Sequence, residues 1–249
     1  MSLHPLAANF AGVADAYERG RPDYPPEVAD ALRAELSLRT GAPVLDLGAG
    51  TGKLTRALVA AGLDVVAVEP QEPMRAILAA TVGAGRVRAG TAEAIPLEDA
   101  AVSAVTVADA FHWFDQERAL AEIRRVLRPG GGLAVLSTLP DFSGASWAHE
   151  LGQLVSASRP EHPFHDGPPW GDALRAAGGW AEPREVRVTV RAPARVERLT
   201  DWIASFSWIA AMPQAQRDGV LAQARGLIDA GNTPDELPVH FVVGIARLA

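Results

Sequence analysis

The feature that most constrains the fold is a regular alternation of short apolar runs and helical patterns that begins at residue 43. The run VLDLG over 44–48 predicts a buried strand, and the apolar residues of 54–61 then recur on one face of a helix. The run DVVAVE over 64–69 predicts the next strand. Since helices that connect successive strands produce a parallel sheet, this pattern predicts an α/β fold on a mostly parallel sheet.

The alternation continues to residue 139 and then changes character. Pro73 is predicted to lie in the first turn of one helix. Asp115 is predicted to cap another helix, which ends before Pro129 and Gly130. Residues 140–171 are rich in Pro, Gly, His and aromatic side chains, which predicts an irregular segment. The remaining predicted strands cover 86–90, 101–110, 131–138, 184–192 and 238–248, and the remaining predicted helices cover 72–82, 171–180, 195–211 and 214–230.

Composition and charge limit the classes of function. The chain has 249 residues and a net charge of −7, so it lacks the basic footprint that DNA or RNA binding requires. It contains no cysteine, which excludes disulfides, thiolate nucleophiles and cysteine-bound metals. No apolar run approaches the roughly 18 residues of a membrane span, and the N-terminus lacks the pattern of a signal peptide. We therefore expect a cytoplasmic protein that binds neither nucleic acid nor membranes.

The stretch DLGAGTGK over 46–53 is a glycine-rich connection from strand to helix, and three kinds of ligand compete for it. A phosphate-binding P-loop requires glycine at position 47 and Ser or Thr after the lysine, but both positions are leucine. A dinucleotide fingerprint requires G-x-G-x-x-G, but here the spacing is G-x-G-x-G and Lys53 stands where the third glycine belongs. Both nucleotide interpretations therefore fit poorly.

A third pattern fits this stretch better. Asp46 lies two residues before the glycines Gly48, Gly50 and Gly52, and Glu69 ends the next strand. In these residues the chain resembles the class I S-adenosylmethionine-dependent methyltransferases. Their cofactor has no phosphate, and glycine lets the backbone approach a ligand without a Cβ clash. The resemblance implies that Asp46 serves the methionine amino group, directly or through water, and that Glu69 accepts hydrogen bonds from both ribose hydroxyls.

The stretch GTAEAIPLEDAAVSAVTVADAFHWFD over 90–115 is similar to the type 11 (UbiE-like) branch of the same family. In that branch, residues after the third strand surround the adenine. The resemblance implies that Ala92 donates its backbone N–H to a ring nitrogen, beside Glu93, whereas Thr91 stands where the family often has an acid. The other residues expected at the cofactor are Ala49, Lys53, Gln71, Met74, Asp109, Ala110 and Trp113. Met74 fits a cofactor lid and ordinary core packing equally well.

His112 is the best placed titratable residue for the chemistry. Ligands of open parallel sheets bind outside the carboxyl ends of the strands, and AFHWFD follows the fourth strand. An imidazole accepts a proton near neutral pH, which makes His112 the candidate catalytic base. The alternative is a histidine that only orients its loop. Trp113 similarly fits either a wall beside the positively charged sulfur or the core.

The N-terminal stretch YERGRPDYP over 17–25 resembles a subgroup that includes trans-aconitate-methyltransferase-like proteins. The resemblance implies a segment that folds over the cofactor, in which Tyr17, Arg21 and Tyr24 bind the methionine carboxylate or cover the site. Arginine suits a carboxylate because its planar fork donates two parallel hydrogen bonds. The alternative is a rigid lead into the helix that follows.

His162 and His165 have a spacing that permits zinc binding, with Asp166 beside them. Such residues in a proline-rich loop more often have no metal, so we expect none. They are better candidates for a substrate pocket, because the segment follows the fifth strand at the ligand edge of the sheet.

Together these motifs predict an enzyme that transfers a methyl group from S-adenosylmethionine to a small molecule, with carboxylic acids and secondary metabolites as the first candidates. The alternatives are an NAD(P)-dependent oxidoreductase on a Rossmann sheet and a cofactor-binding protein without catalysis. The sequence does not distinguish a monomer from a dimer.

The expected organisation is a single Rossmann-like seven-stranded methyltransferase domain over 1–249, with mostly parallel strands and an antiparallel last strand. It has an N-terminal helical lid over 1–40, a cofactor-binding half over 41–139 and a substrate-side half over 140–249. Within the last part, a helical cap insertion is expected at about 195–231.

Overall fold

The computed structural model describes residues 4–144, 146–230 and 236–249. The first three residues of the predicted lid and residue 231 of the predicted insertion lie outside these ranges. The strands are β1 (Pro43–Leu47), β2 (Asp64–Val68), β3 (Val87–Arg88), β4 (Val102–Ala108), β5 (Leu127–Pro140), β6 (Arg184–Pro193) and β7 (Glu236–Arg247).

These seven strands form one sheet in the order β3-β2-β1-β4-β5-β7-β6. β1 pairs in parallel with both β2 and β4, and the parallel pairing continues from β2 to β3 and from β4 to β5. The sheet is mixed because its last strand is antiparallel. The predicted fold class, a Rossmann-like seven-stranded sheet that is mostly parallel with an antiparallel last strand, is confirmed.

Helices connect and flank the strands, and those predicted after the first, second and fourth strands are present. The α-helices are α1 (Pro5–Ala8), α2 (Ala14–Gly20), α3 (Pro26–Glu35), α4 (Lys53–Ala60), α5 (Glu72–Val82), α6 (Gln116–Val126), α7 (Ser146–Ala157), α8 (Pro163–Asp166), α9 (Trp170–Ala177), α10 (Val196–Ala204), α11 (Ser207–Ala210) and α12 (Gln214–Ala230). Short 3₁₀ turns cover Asn9–Val13, Ala84–Arg86 and Phe111–Trp113. Within the described ranges, no helix has the length and apolarity that crossing a membrane requires.

The prediction that 140–171 is irregular is wrong, because α7 and α8 lie there. α7 buries Trp147, Leu151 and Val155, which recur at helical spacing. Burial of this apolar stripe stabilises the helix despite Gly152 in its interior, whose low helix propensity obscured the pattern.

The strand predicted for 131–138 begins earlier, at Leu127, which pairs with Val102. The ladder then shifts register and resumes with Gly132 opposite Ala104, so the RPGG sequence forms an irregularity inside β5. The cap predicted for α6 is confirmed, since the Asp115 carboxylate accepts the Arg118 N–H at 3.3 Å.

The chain packs as two compact units. The helical unit comprises Met1–Pro22, Leu139–His162 and Thr189–His240, and the glycine-loop unit comprises Asp23–Thr138, Pro163–Val188 and Phe241–Ala249. The predicted division at 40 and 139 into lid, cofactor half and substrate half stays a prediction.

The core of the glycine-loop unit lies between the central strands and α6. Leu45 and Leu47 of β1 and Val105 of β4 are fully buried, and they belong to one apolar cluster with Leu120 and Ile123 of α6. This packing fixes the carboxyl ends of β1 and β4 side by side, which is where the predicted site residues follow.

Candidate active site

The glycine loop after β1 adopts a backbone that requires glycine. Gly48, Gly50 and Gly52 have φ angles of +70°, +58° and +90°. A Cβ on Gly48 would lie 2.9 Å from the Cβ of Ala110, and one on Gly52 would lie 2.5 Å from Leu78 Cδ1. All three positions have a positive φ, which favours glycine. At Gly48 and Gly52 the neighbouring residues also leave no room for a side chain, so the loop is tightly packed there.

Glu69 follows β2 and is the most informative residue of the site. Its side chain is buried, its Oε2 accepts the Gly50 N–H at 2.9 Å, and its Oε1 accepts the Gln71 N–H at 2.9 Å. Burial raises the pKa of the Glu69 carboxyl, and the two backbone hydrogen bonds oppose that rise. Each carboxylate oxygen keeps a second lone pair, so both can still accept a hydrogen bond from a ligand.

Asp46 of β1 is fixed inside the protein by two hydroxyls. Thr55 of α4 donates to its Oδ2 at 2.6 Å, and Thr106 of β4 lies 3.2 Å from its Oδ1. The pKa of the Asp46 carboxyl is raised to about 6, because the effect of burial outweighs the opposing effect of these hydroxyl contacts. Asp46 thus joins β1, α4 and β4, and its predicted contact with the methionine amino group stays a prediction.

Lys53, predicted at the cofactor, is buried at the start of α4. Its Nζ lies 3.1 Å from Asp23 Oδ1, which also accepts Arg56 Nη2 at 2.8 Å. Burial alone would raise the pKa of Asp23, but the hydrogen bonds and charges of Arg56 and Lys53 outweigh it and lower that pKa. These contacts tie the segment before α3 to the helix after the glycine loop.

Thr51 is a candidate ligand contact that the sequence analysis missed. Its hydroxyl is fully buried and has no hydrogen-bond partner among the described residues. A buried hydroxyl without a partner costs about 1–3 kcal/mol, so a polar ligand group at the loop would remove that cost. A threonine between two glycines gives no sequence signal beyond a turn, which is why only the structure identifies it.

The residues predicted to surround the adenine lie in a loop held by two glutamates. Glu93 Oε1 accepts the Asp115 N–H at 3.0 Å, and Glu122 Oε2 accepts the Ile95 N–H at 2.9 Å. Ala92 lies in this loop and Met74 in α5, and both side chains are buried. These hydrogen bonds hold the loop in place where the resemblance implies backbone contacts, and each cofactor role assigned to it, including that of Thr91, stays a prediction.

The carboxyl ends of β4 and β5 are joined by a polar network. Asp109 has a positive φ of +51°, uncommon for a residue with a side chain, and its Oδ1 accepts the Thr138 N–H at 2.9 Å. The Thr138 hydroxyl lies 3.0 Å from the buried Tyr24 hydroxyl. Tyr24 therefore connects the RPDYP segment to the residue that positions Asp109. No sequence pattern indicates this connection, because it joins residues far apart in the chain.

His112 lies in an aromatic cluster beside the end of β4. Its ring centroid is 4.3 Å from that of Trp113 and 5.2 Å from that of Phe164 in α8, and His165 stacks edge-on against Phe164 at 4.9 Å. The ring is half-buried, so the geometry is compatible with both a proton acceptor and a loop-orienting residue.

The two histidines considered for zinc have other neighbours. His162 Nε2 lies 2.9 Å from Ser207 Oγ and its ring packs against Trp208 at 5.3 Å, whereas His165 contacts Phe164. Among the described ranges, no group of three or more His, Asp or Glu side chains has an arrangement suited to a metal ion.

Tyr17 and Arg21 belong to the helical unit. The Arg21 guanidinium lies 4.8 Å from the Tyr17 ring centroid and 5.6 Å from that of Phe206, and its Nε donates to Ser205 Oγ at 3.1 Å. The guanidinium is therefore held by cation–π contacts and one hydrogen bond. The contact of both residues with a methionine carboxylate stays a prediction.

The chain is similar to known methyltransferases in sequence and in structure. Residues 45–135 match a family model described as a methyltransferase domain. An uncharacterised methyltransferase of Mycobacterium tuberculosis is 39% identical over 227 residues, which cover 91% of this chain and 88% of the relative. A solved structure from Anaeromyxobacter dehalogenans, described as a type II methyltransferase by inference, is also similar. Its TM-score is 0.62 at 26% sequence identity, and the match covers 91% of this chain and 97% of that chain.

A more distant solved structure shares the fold alone. It is a phosphoethanolamine N-methyltransferase of Haemonchus contortus in complex with phosphomonomethylethanolamine and S-adenosylhomocysteine. Its TM-score is 0.53 at 17% identity, and the match covers 94% of this chain and 57% of that one.

Proposed function

The chain belongs to the class I S-adenosylmethionine-dependent methyltransferases, and on that premise we propose that it methylates a small-molecule acceptor. The methyl donor is S-adenosylmethionine and the product is S-adenosylhomocysteine. The acceptor is a carboxylic acid or a secondary metabolite. A net charge of −7 supports a small acceptor over nucleic acid, which would require a basic footprint.

The observation that carries this proposal is the anchored carboxylate of Glu69. It is buried at the carboxyl end of β2, and the backbone N–H groups of Gly50 and Gln71 orient its two oxygens. A carboxylate held in this way accepts hydrogen bonds from a ribose diol without further reorganisation. The residue after Lys53 is leucine, so the Ser or Thr that holds a phosphate-bound magnesium ion in a P-loop is missing, which supports a cofactor without phosphate.

The residues of the loop support this cofactor in two ways. Because Gly48 has no side chain, the loop turns tightly against Ala110, and the Gly50 N–H reaches the Glu69 carboxylate. The unpartnered Thr51 hydroxyl offers one more polar contact at this loop. When bound, the cofactor supplies a methyl group that its sulfonium has already activated.

The remaining tasks of the protein are alignment and exclusion of water, which contribute about 7–11 kcal/mol to such reactions. His112 takes a proton from an acceptor that arrives as a phenol or a carbon acid. A carboxylate acceptor is already nucleophilic, and for it His112 only orients the loop.

Calorimetric titration with S-adenosylhomocysteine and, separately, with NADH tests the cofactor. We expect micromolar binding of S-adenosylhomocysteine to the unaltered protein and no heat from NADH. Glu69→Ala should weaken binding about 100-fold or more, because two charge-assisted hydrogen bonds contribute about 1.5–3 kcal/mol each.

Glu182→Ala is the matched control for this substitution. The Glu182 side chain is exposed, its carboxylate accepts a hydrogen bond from Arg175 Nε at 3.2 Å, and it lies outside both the glycine loop and the loop predicted to surround the adenine. The affinity of this variant for S-adenosylhomocysteine should equal that of the unaltered protein. NADH binding instead would support the oxidoreductase alternative. S-adenosylhomocysteine binding without methyl transfer to any acceptor in a screen of carboxylic acids and phenols would support a non-catalytic protein.

A further inference from the structure

A second cleft opens at the edge of the sheet opposite the candidate active site. It has a volume of about 470 Å³ and lies entirely within the glycine-loop unit. Its walls come from the loop between α3 and β1, the start of β4, the first residues of β5 and the end of β7.

Strand direction separates this cleft from the glycine loop. Pro43 begins β1 and Ser103 lies at the start of β4, whereas Glu69 and Asp109 follow the far ends of β2 and β4. Arg247 ends β7, and because that strand is antiparallel its last residue lies at the edge where the parallel strands begin. A ligand in the cleft can therefore bind while the glycine loop is occupied.

The cleft is basic although the protein as a whole is acidic. Arg39, Arg128 and Arg247 line it, and no Asp or Glu of the described part of the chain does. None of the three arginines has an ion-pair partner within the described residues, while the whole chain has a net charge of −7. Hydroxyls of Ser37 and Thr40 add neutral hydrogen-bond donors to the same walls.

Two of the arginines are oriented without loss of their charge. Arg247 Nη2 donates to the Glu35 carbonyl at 2.7 Å and to Ser37 Oγ at 2.8 Å. Arg128 Nε donates to the Ala100 carbonyl at 3.3 Å. These acceptors are neutral, so the guanidinium charges remain available, and most of the N–H groups of Arg128 and Arg247 have no partner among the described residues. Such preorganised forks match phosphate and carboxylate groups.

We propose that this arginine cleft binds a small oxyanion with two or more phosphate or carboxylate groups. Three guanidinium groups around one cleft require more than one negative charge for full pairing. The volume is within the range of small-molecule sites, roughly 300–1,000 Å³. Because the cleft lies at the edge opposite the glycine loop, its ligand is not the methyl acceptor.

Calorimetric titration with inorganic pyrophosphate and with citrate, at about 0.05 M NaCl, tests the proposal and distinguishes phosphate from carboxylate ligands. The unaltered protein should bind at least one of the two probes. The double variant Arg39→Gln/Arg128→Gln should bind it at least about tenfold more weakly, since it loses charge-assisted hydrogen bonds. Both arginines are exposed, and a thermal melt of the variant checks that it is folded.

The control is Arg191→Gln/Arg225→Gln, which removes the same charge from two exposed arginines outside the cleft. Equal affinity of the control and the unaltered protein supports the cleft. An equal loss in control and cleft variants would overturn the proposal, because it would show attraction by overall charge. The absence of heat from both probes would also overturn it, and so would displacement of the probe by saturating S-adenosylhomocysteine.

Discussion

The two edges of the sheet carry side chains of opposite charge and different burial. At the carboxyl edge, Glu69 and Asp46 are almost fully buried, and burial raises the pKa of both carboxyls. At the amino edge, Arg39 and Arg128 are exposed and have no ion-pair partner within the described residues. The first edge is therefore suited to selecting a ligand by hydrogen-bond geometry in a desolvated site, and the second to attracting one by charge.

The largest expected difference between the edges is the loss in the free energy of unfolding when a glycine of each edge is replaced by alanine. Gly52 at the carboxyl edge has φ +90° and its added Cβ would lie 2.5 Å from Leu78, whereas Gly130 at the amino edge has φ +74° and open space around it. Gly52→Ala should lower the free energy of unfolding by about 3 kcal/mol, from backbone strain and overpacking together. Gly130→Ala should cost about 1 kcal/mol from strain alone. Urea unfolding measures both, and equal losses would show that the glycine loop is no more tightly packed than the cleft.

The next effect concerns the buried acid Asp46. Its pKa in the folded protein is about 6, above its ordinary value of 3.8. A raised pKa means that the folded state holds the proton more tightly, so this group stabilises the fold below about pH 4 and loses that contribution as pH rises through about 6. The free energy of unfolding should therefore fall by about 2–3 kcal/mol over this range relative to Asp46→Asn.

Urea unfolding of both proteins from pH 4 to pH 7 gives this difference directly. Subtracting the two curves removes the acids with lowered pKa, such as Asp23, whose contribution has the opposite sign. A difference that stays flat, or that rises with pH, would contradict the assignment of a desolvated carboxyl at this position.

The smallest effect compares the two ligands by their response to salt. Raising NaCl from about 0.05 M to about 0.5 M should weaken pyrophosphate binding about tenfold or more, because exposed arginines are screened. The affinity for S-adenosylhomocysteine should change less than about twofold, because its contacts are buried. Calorimetry at both concentrations measures the two constants on one preparation. An equal loss of affinity for both ligands would contradict the distinction between a buried site at one edge and a charged, exposed site at the other.

The sequence predicted the parts of this structure that depend on local patterns. Alternating apolar runs identified β1, β2 and β4, and the cap at Asp115 follows from one residue and its position before an apolar stripe. The glycine spacing and Glu69 likewise lie within one strand–helix–strand unit. The helix α7 carried a usable signal as well, since Trp147, Leu151 and Val155 recur at helical spacing.

The rest depends on contacts between distant parts of the chain. Asp46 acquires its raised pKa from burial by three separate elements, and its partner Thr106 lies 60 residues away. Tyr24 meets Thr138 across 114 residues, and Arg247 meets Glu35 across 212. No short pattern encodes such pairs, so neither the polar network at Asp109 nor the arginine cleft was visible before the fold was known.

The most direct test of the central claim is a crystal structure of the protein with S-adenosylhomocysteine. We expect both ribose hydroxyl oxygens within about 3 Å of the Glu69 carboxylate, with the Gly50 N–H still donating to it. A nucleoside bound away from the glycine loop, or one whose ribose makes no contact with Glu69, would contradict the account.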